Sequence, residues 1–62
     1  SPFDPIVMRA ALLHDYLCVM QPAQITPKMA AQAFRTMLIE DGAAPWKANL
    51  MYRAILLAGP KW

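Results

Sequence analysis

Three prolines set the limits on what this chain can fold into. The pairs Asp4-Pro5, Thr26-Pro27 and Ala44-Pro45 each stand at the head of a largely apolar segment. Proline at the first helical position sacrifices no hydrogen bond, because that N–H has no partner within a helix, and its fixed φ suits the first turn. Asp4 and Thr26 are good N-caps, with side-chain oxygens able to accept from orphan first-turn N–H groups. Ala44 has no such oxygen, so the third start rests on Pro45 alone. Stop signals match the starts: Gln21-Pro22, Asp41-Gly42 and Gly59-Pro60. Helices are expected near 5–20, 27–41 and 45–58. β-Branched residues are few and no segment alternates with period two, so no strand is expected. The expected fold is all-α, a small three-helix bundle forming one domain or module over residues 1–62.

A chain of 62 residues holds one domain at most and buries only about 60% of its unfolded surface, which leaves it marginal on its own. Its composition partly offsets this. Hydrophobic residues make up 58%, against roughly 45–50% in an average soluble domain even when glycine is counted. Part of that apolar surface is therefore expected to be covered by another subunit, by another part of the same protein, or by a second copy in a homo-oligomer.

The spacing of apolar residues shows where a cover would lie. In the second helix Ala30, Ala33, Phe34, Met37 and Leu38 recur at helical spacing, and Lys28, Gln32, Arg35 and Glu40 lie largely off that stripe. The third helix carries two stripes: Leu50, Ala54 and Leu57, and Ala48, Met51, Tyr52 and Ile55. A helix apolar on two sides is either central or covered by a partner. Apart from Arg9 and the triplet His14-Asp15-Tyr16, the first helix is apolar nearly all round.

Charge and cysteine usage exclude several function classes. The net charge of +2 comes from six scattered Lys and Arg residues against four acids, with no concentrated basic face of the kind nucleic-acid binding needs. One cysteine, Cys18, permits neither an intrachain disulfide nor a cysteine-based zinc site. No apolar run approaches the ~20 residues that span a bilayer. No cofactor or metal is expected.

The triplet His14-Asp15-Tyr16 is the one place where chemistry could sit. Adjacent residues on a helix are turned about 100° apart, so His14 and Asp15 face different neighbours rather than each other. As a structural pair, His14 would be partly buried and bonded to a backbone carbonyl, and Asp15 would cap or pair with another segment. As a functional pair, His14 would be a base and Asp15 an orienting group or ligand. General acid–base work needs a second group within reach and a metal needs three or four ligands; the remaining acids, Asp4, Glu40 and Asp41, are not brought to His14 by helical spacing. Cys18, one turn after His14 on the same face, is a conceivable nucleophile but has no activating cation apart from that imidazole. Tyr16 and Tyr52 could lend hydroxyls to a polar cluster around His14. Trp46 follows Pro45 at a helix start, where an aromatic side chain staples the incoming loop to the core or, alternatively, offers a binding platform. Trp62 is placed to anchor a partner. His14, Asp15, Tyr16, Trp46, Tyr52 and Trp62 together form the expected interaction or structural cluster.

The segments "MRAALLHDYL", "ITPKMAAQAF" and "GAAPWKANLMYRAILLAGPKW" resemble, in order and with similar spacing, the C-terminal part of a small phage and prophage domain of unknown function, the family numbered 1353 among such domains. The combination of H-D-Y, M-Y and a terminal G-P-K-W carries the resemblance. That family generally has an N-terminal β-containing part, which has no counterpart here, so the resemblance implies one portion of a larger protein or a reduced version. The family's second helix often carries an Ala-Asp pair before its aromatic. Here Ala30-Ala31-Gln32-Ala33-Phe34 lacks the acid, which leaves any His-Asp-carboxylate site incomplete. The H-D-x-x-Y of phospholipase A2 helices is a fainter likeness: its fifth position is Cys18 here, and its disulfides and calcium loop are missing.

The resemblance implies a phage setting, in the virion or the host cytoplasm, and the composition favours protein–protein contact. The leading expectation is a structural or assembly component of the virion, in or near the tail. The alternatives are a hydrolase-like or metal-dependent enzyme fragment using His14 and Asp15, and a small inhibitor of a host protein.

Overall fold

The computed structural model describes residues 4–62, and these form three α-helices with no strand among the described residues. Helix α1 spans Pro5–Met20, α2 spans Pro27–Glu40 and α3 spans Pro45–Ala58. The fold is a small all-α three-helix bundle.

Each boundary has a local cause. Asp4 accepts from the Ile6 N–H at 3.0 Å and Thr26 accepts from the Met29 N–H at 3.1 Å, so two of the three starts are capped as their residue types dictate. Ala44 makes no side-chain cap, and α3 begins on Pro45 with no such support. Helix α1 stops where Gln21 turns left-handed at φ 45°, one residue before Pro22. Helix α2 ends at Glu40, with Asp41 as its C-cap. Gly42 sits at φ 102°, its N–H donates to the Ile39 carbonyl, and the Ala43 N–H donates to the Leu38 carbonyl. Those two bonds and a left-handed glycine make a Schellman motif, which satisfies carbonyls the helix leaves orphaned.

Gly59 behaves differently. Its φ is −78°, so no left-handed turn requires glycine there. The requirement is space, because a Cβ at this position would lie about 2.5 Å from the Ile55 carbonyl oxygen. The carbonyls left open at this end are met by Lys61, whose ammonium donates to Leu56 O at 2.7 Å, as a cation near a helix C-terminus favours.

Helix α2 is the centre of the bundle: α1 and α3 each pack on it and not on one another. Sequence periodicity left α3 as a candidate for that place. The helix buried on two sides is α2, which contributes Ala30, Ala31, Phe34 and Leu38 to the interior. Against them α1 sets Ala10 and His14, and α3 sets Ala48. The four buried alanines allow close approach but bring few carbon atoms, and Leu38 is the largest fully buried side chain. Of the two stripes on α3, Ala48, Met51, Tyr52 and Ile55 turn inward or to the half-buried margin, while Leu50, Ala54 and Leu57 face outward.

Long-range polar ties fix the helix directions. Arg9 near the start of α1 pairs with Asp41 at the end of α2 at 3.0 Å, Arg35 in α2 donates to the Asn49 side chain in α3, and Thr26, Pro27 and Lys28 share a cleft with Ile55, Leu56, Pro60 and Lys61. Both neighbours therefore run antiparallel to α2, and α1 and α3 run parallel to each other.

Candidate functional site

His14 is the single buried polar side chain among the described residues, 8% exposed on the face of α1 that meets α2. Its ring lies edge-on to Phe34, with centroids 5.7 Å apart. Cys18, one turn further on, places its sulfur 3.6 Å from Nε2 and 3.7 Å from Nδ1. The in-plane directions of the two ring nitrogens diverge, so a sulfur nearly equidistant from both is aligned with neither. The contact is packing of a polarisable thiol on an imidazole more than a directed hydrogen bond. Burial, and secondarily the charge of Asp15, push the Cys18 thiol above its ordinary range. A thiol shifted that way stays protonated at neutral pH, the opposite of what a nucleophile requires.

The neighbours expected around His14 are elsewhere. Asp15 is exposed, and it makes no hydrogen bond or ion pair with the described residues. Its rotation about the α1 axis turns it to solvent, and the inter-helix ion pair that could have used it is made by Arg9 and Asp41. Tyr16 lies outside at 59% exposure. Tyr52 is half-buried on α3, and α3 is separated from α1 by α2. Among the described residues no hydroxyl cluster and no carbonyl bond surround the imidazole; its partners there are a thiol and an aromatic ring. Among the described residues no three His, Cys, Asp or Glu side chains come together in a way that could hold a metal ion.

Trp46 also departs from expectation. It does not staple its loop to the core: it is 70% exposed, because Ala48 and Met51 occupy the side of α3 that meets α2. Trp62 folds back on its own chain, its indole N–H donating to the Ile25 carbonyl at 3.1 Å in the loop between α1 and α2. The Gly59-Pro60-Lys61-Trp62 ending thus serves as a clasp, with Lys61 closing α3 and Trp62 tying it to a distant loop. Of the features that sequence reasoning missed, the Lys61 cap had a legible signal, a lysine directly after a Gly-Pro helix stop.

What remains conspicuous is the outside. Met8, Leu12, Tyr16, Val19 and Met20 are exposed on α1, and Trp46, Leu50 and Leu57 on α3. Val19 at 79% and Leu57 at 86% are almost as open as in an unfolded chain. No described helix is long and apolar enough to cross a membrane.

A family described as "Protein of unknown function (DUF1353)" matches residues 2–55. The chain belongs to the DUF1353 family. Over all 62 residues it is 31% identical to the uncharacterized protein y4jT of Sinorhizobium fredii (strain NBRC 101917 / NGR234), and it spans 18% of that protein's length. No solved structure matches it. Within this DUF1353 segment, two surfaces are candidates for function: the buried His14–Cys18 pair against Phe34, and the exposed apolar rows of α1 and α3.

Proposed function

We propose that this chain is a helical contact module, whose role is to bind protein through the outer faces of α1 and α3. In the setting implied by the H-D-Y-L resemblance, it is a structural or assembly component of a phage or prophage particle, in or near the tail. The observation that carries the contact role is the exposure of large aliphatic and aromatic side chains along both outer helices. Contiguous apolar surface on a small protein marks interaction sites, while isolated exposed leucines would need no explanation. The His14 environment adds support by what it offers: a buried imidazole against a thiol and a phenyl ring ties α1 to α2.

Photocrosslinking residues introduced at Leu12 and Leu57, in the host that carries the gene, test the reading. Protein adducts are expected at both positions and not at Gln32 on the polar face of α2. Equal labelling at all three positions, or none at Leu12 and Leu57, would sink it. Mass spectrometry of purified particles tests the particle assignment separately, since a virion component must copurify with them.

A further inference from the structure

Resting on that contact role, we propose that one partner is a second copy of this chain, with the α1 face of one copy seated on the α3 face of the next. The argument lies in the spacing. On α1 the outward row reads Met8, Leu12, Asp15, Val19; on α3 it reads Trp46, Leu50, Arg53, Leu57. Both rows advance by four, three and four residues, the rhythm of a coiled-coil seam. Both are apolar at the first, second and fourth places and charged at the third, with an acid on α1 and a base on α3. All eight side chains are exposed, and neither Asp15 nor Arg53 has an ionic or hydrogen-bonded partner among the described residues.

Parallel packing in register stacks Met8 on Trp46, Leu12 on Leu50, Asp15 on Arg53 and Val19 on Leu57. Antiparallel packing of the same rows sets Leu12 against Arg53 and Asp15 against Leu50, leaving both charges against leucine and unpaired, a costly arrangement. A single polar layer in an apolar seam is the device by which coiled coils fix register and direction. The chain supplies the parallel orientation, since α1 and α3 run the same way on either side of α2. Copies added in this manner are related head to tail, so the interface is heterologous and the product is a ring or an open row rather than a twofold dimer. One seam of three turns is small beside stable protein interfaces, and association is expected to be weak and to grow with concentration.

Charge exchange tests the pairing. Sedimentation velocity of the chain from low micromolar to millimolar concentration, with circular dichroism on the same samples, is expected to show helical species that grow with concentration. Asp15→Arg and Arg53→Asp should each weaken association by about tenfold or more through like-charge juxtaposition. The double exchange should return it to within about threefold of the original, because the layer is rebuilt with its signs reversed. A helical chain that stays monomeric throughout, an association indifferent to either reversal, or a double exchange that fails to restore it overturns the pairing. A chain without helix at these concentrations overturns it too, since the rows exist only on folded helices. Adducts from Leu12 and Leu57 to other proteins, found where self-association fails, would leave the contact role standing and remove this partner alone.

Discussion

Leu38→Ala is the perturbation that bears most directly on how this bundle holds together. Leu38 is fully buried and lies in a cluster with Ala10 of α1, Phe34 of α2 and Ala48 of α3, so its side chain fills space that all three helices share. Removing it forfeits the transfer of its apolar atoms and leaves a cavity; a buried Leu→Ala change costs about 2–5 kcal/mol depending on how far the site collapses. The neighbours include alanines that cannot extend to refill the space, and about 3 kcal/mol is expected here. A bundle of this size commands roughly 3–5 kcal/mol in all, so the variant should be close to unfolded at room temperature. The assay is urea denaturation followed by circular dichroism, at a concentration low enough to exclude association. Leu57→Ala removes the same atoms from a side chain 86% exposed and should change stability by no more than about 0.5 kcal/mol. Equal losses for the two variants, or a loss below about 1 kcal/mol at Leu38, would refute the placement of the core around α2.

Three further outcomes follow from local features. Gly59→Ala should destabilise the end of α3, because its methyl group would press on the Ile55 carbonyl; a thermal midpoint equal to the wild type would count against that contact. Ala44→Asp should stabilise by about 1 kcal/mol, supplying the cap that α3 alone lacks, and chemical denaturation at matched concentration reads it. Alkylation of Cys18 should follow a pH profile displaced upward from that of the chain in denaturant, as burial and Asp15 push the thiol up. By linkage, the neutral thiol's share of stability is fully present below the unfolded-state thiol range and is lost as pH rises through the raised folded value. Coincident alkylation profiles for folded and unfolded chain would contradict the shift.

The starts and stops of all three helices were legible because their causes are local: a proline, a cap oxygen or a glycine within a few residues of each boundary. The two stripes of α3 were legible for the same reason, as spacing alone separates Ala48, Met51, Tyr52 and Ile55 from Leu50, Ala54 and Leu57, but not which of them faces inward. The choice of central helix was not. A second apolar side says that a cover is wanted, but not whether that cover belongs to this chain, and α2 took the centre although α3 also carried two stripes. Arg9 with Asp41, Arg35 with Asn49 and Trp62 with Ile25 join residues 32, 14 and 37 positions apart, beyond any local rule. At His14, helical geometry separated the imidazole from Asp15 correctly, but the partners it met, Cys18 and Phe34, replaced the carbonyl and hydroxyls that its polarity suggested. Trp46 failed the staple expectation because the side of α3 next to α2 was already filled by smaller residues.

The allocation of apolar atoms links stability to binding. The buried interior is Ala10, Ala30, Ala31 and Ala48 around Phe34 and Leu38, with Ile6, Val7, Met37, Ile39, Met51 and Ile55 half-buried against it, while Leu12, Val19, Leu50 and Leu57 are left outside. Burying a leucine or valine contributes about 1.5–3 kcal/mol relative to leaving it exposed, so covering the outer rows holds several kcal/mol of potential stabilisation. Whatever covers them binds the folded form and not the unfolded chain, and it must raise the unfolding free energy by RT ln(1 + [L]/Kd). For a partner that is a second copy, the melting temperature then rises with the concentration of the chain, and the Asp15→Arg variant needs about tenfold or more higher concentration for the same rise while keeping the wild-type melting temperature at high dilution. A melting temperature independent of concentration, in a chain already shown to associate, would mean that association does not draw on the folded faces of α1 and α3.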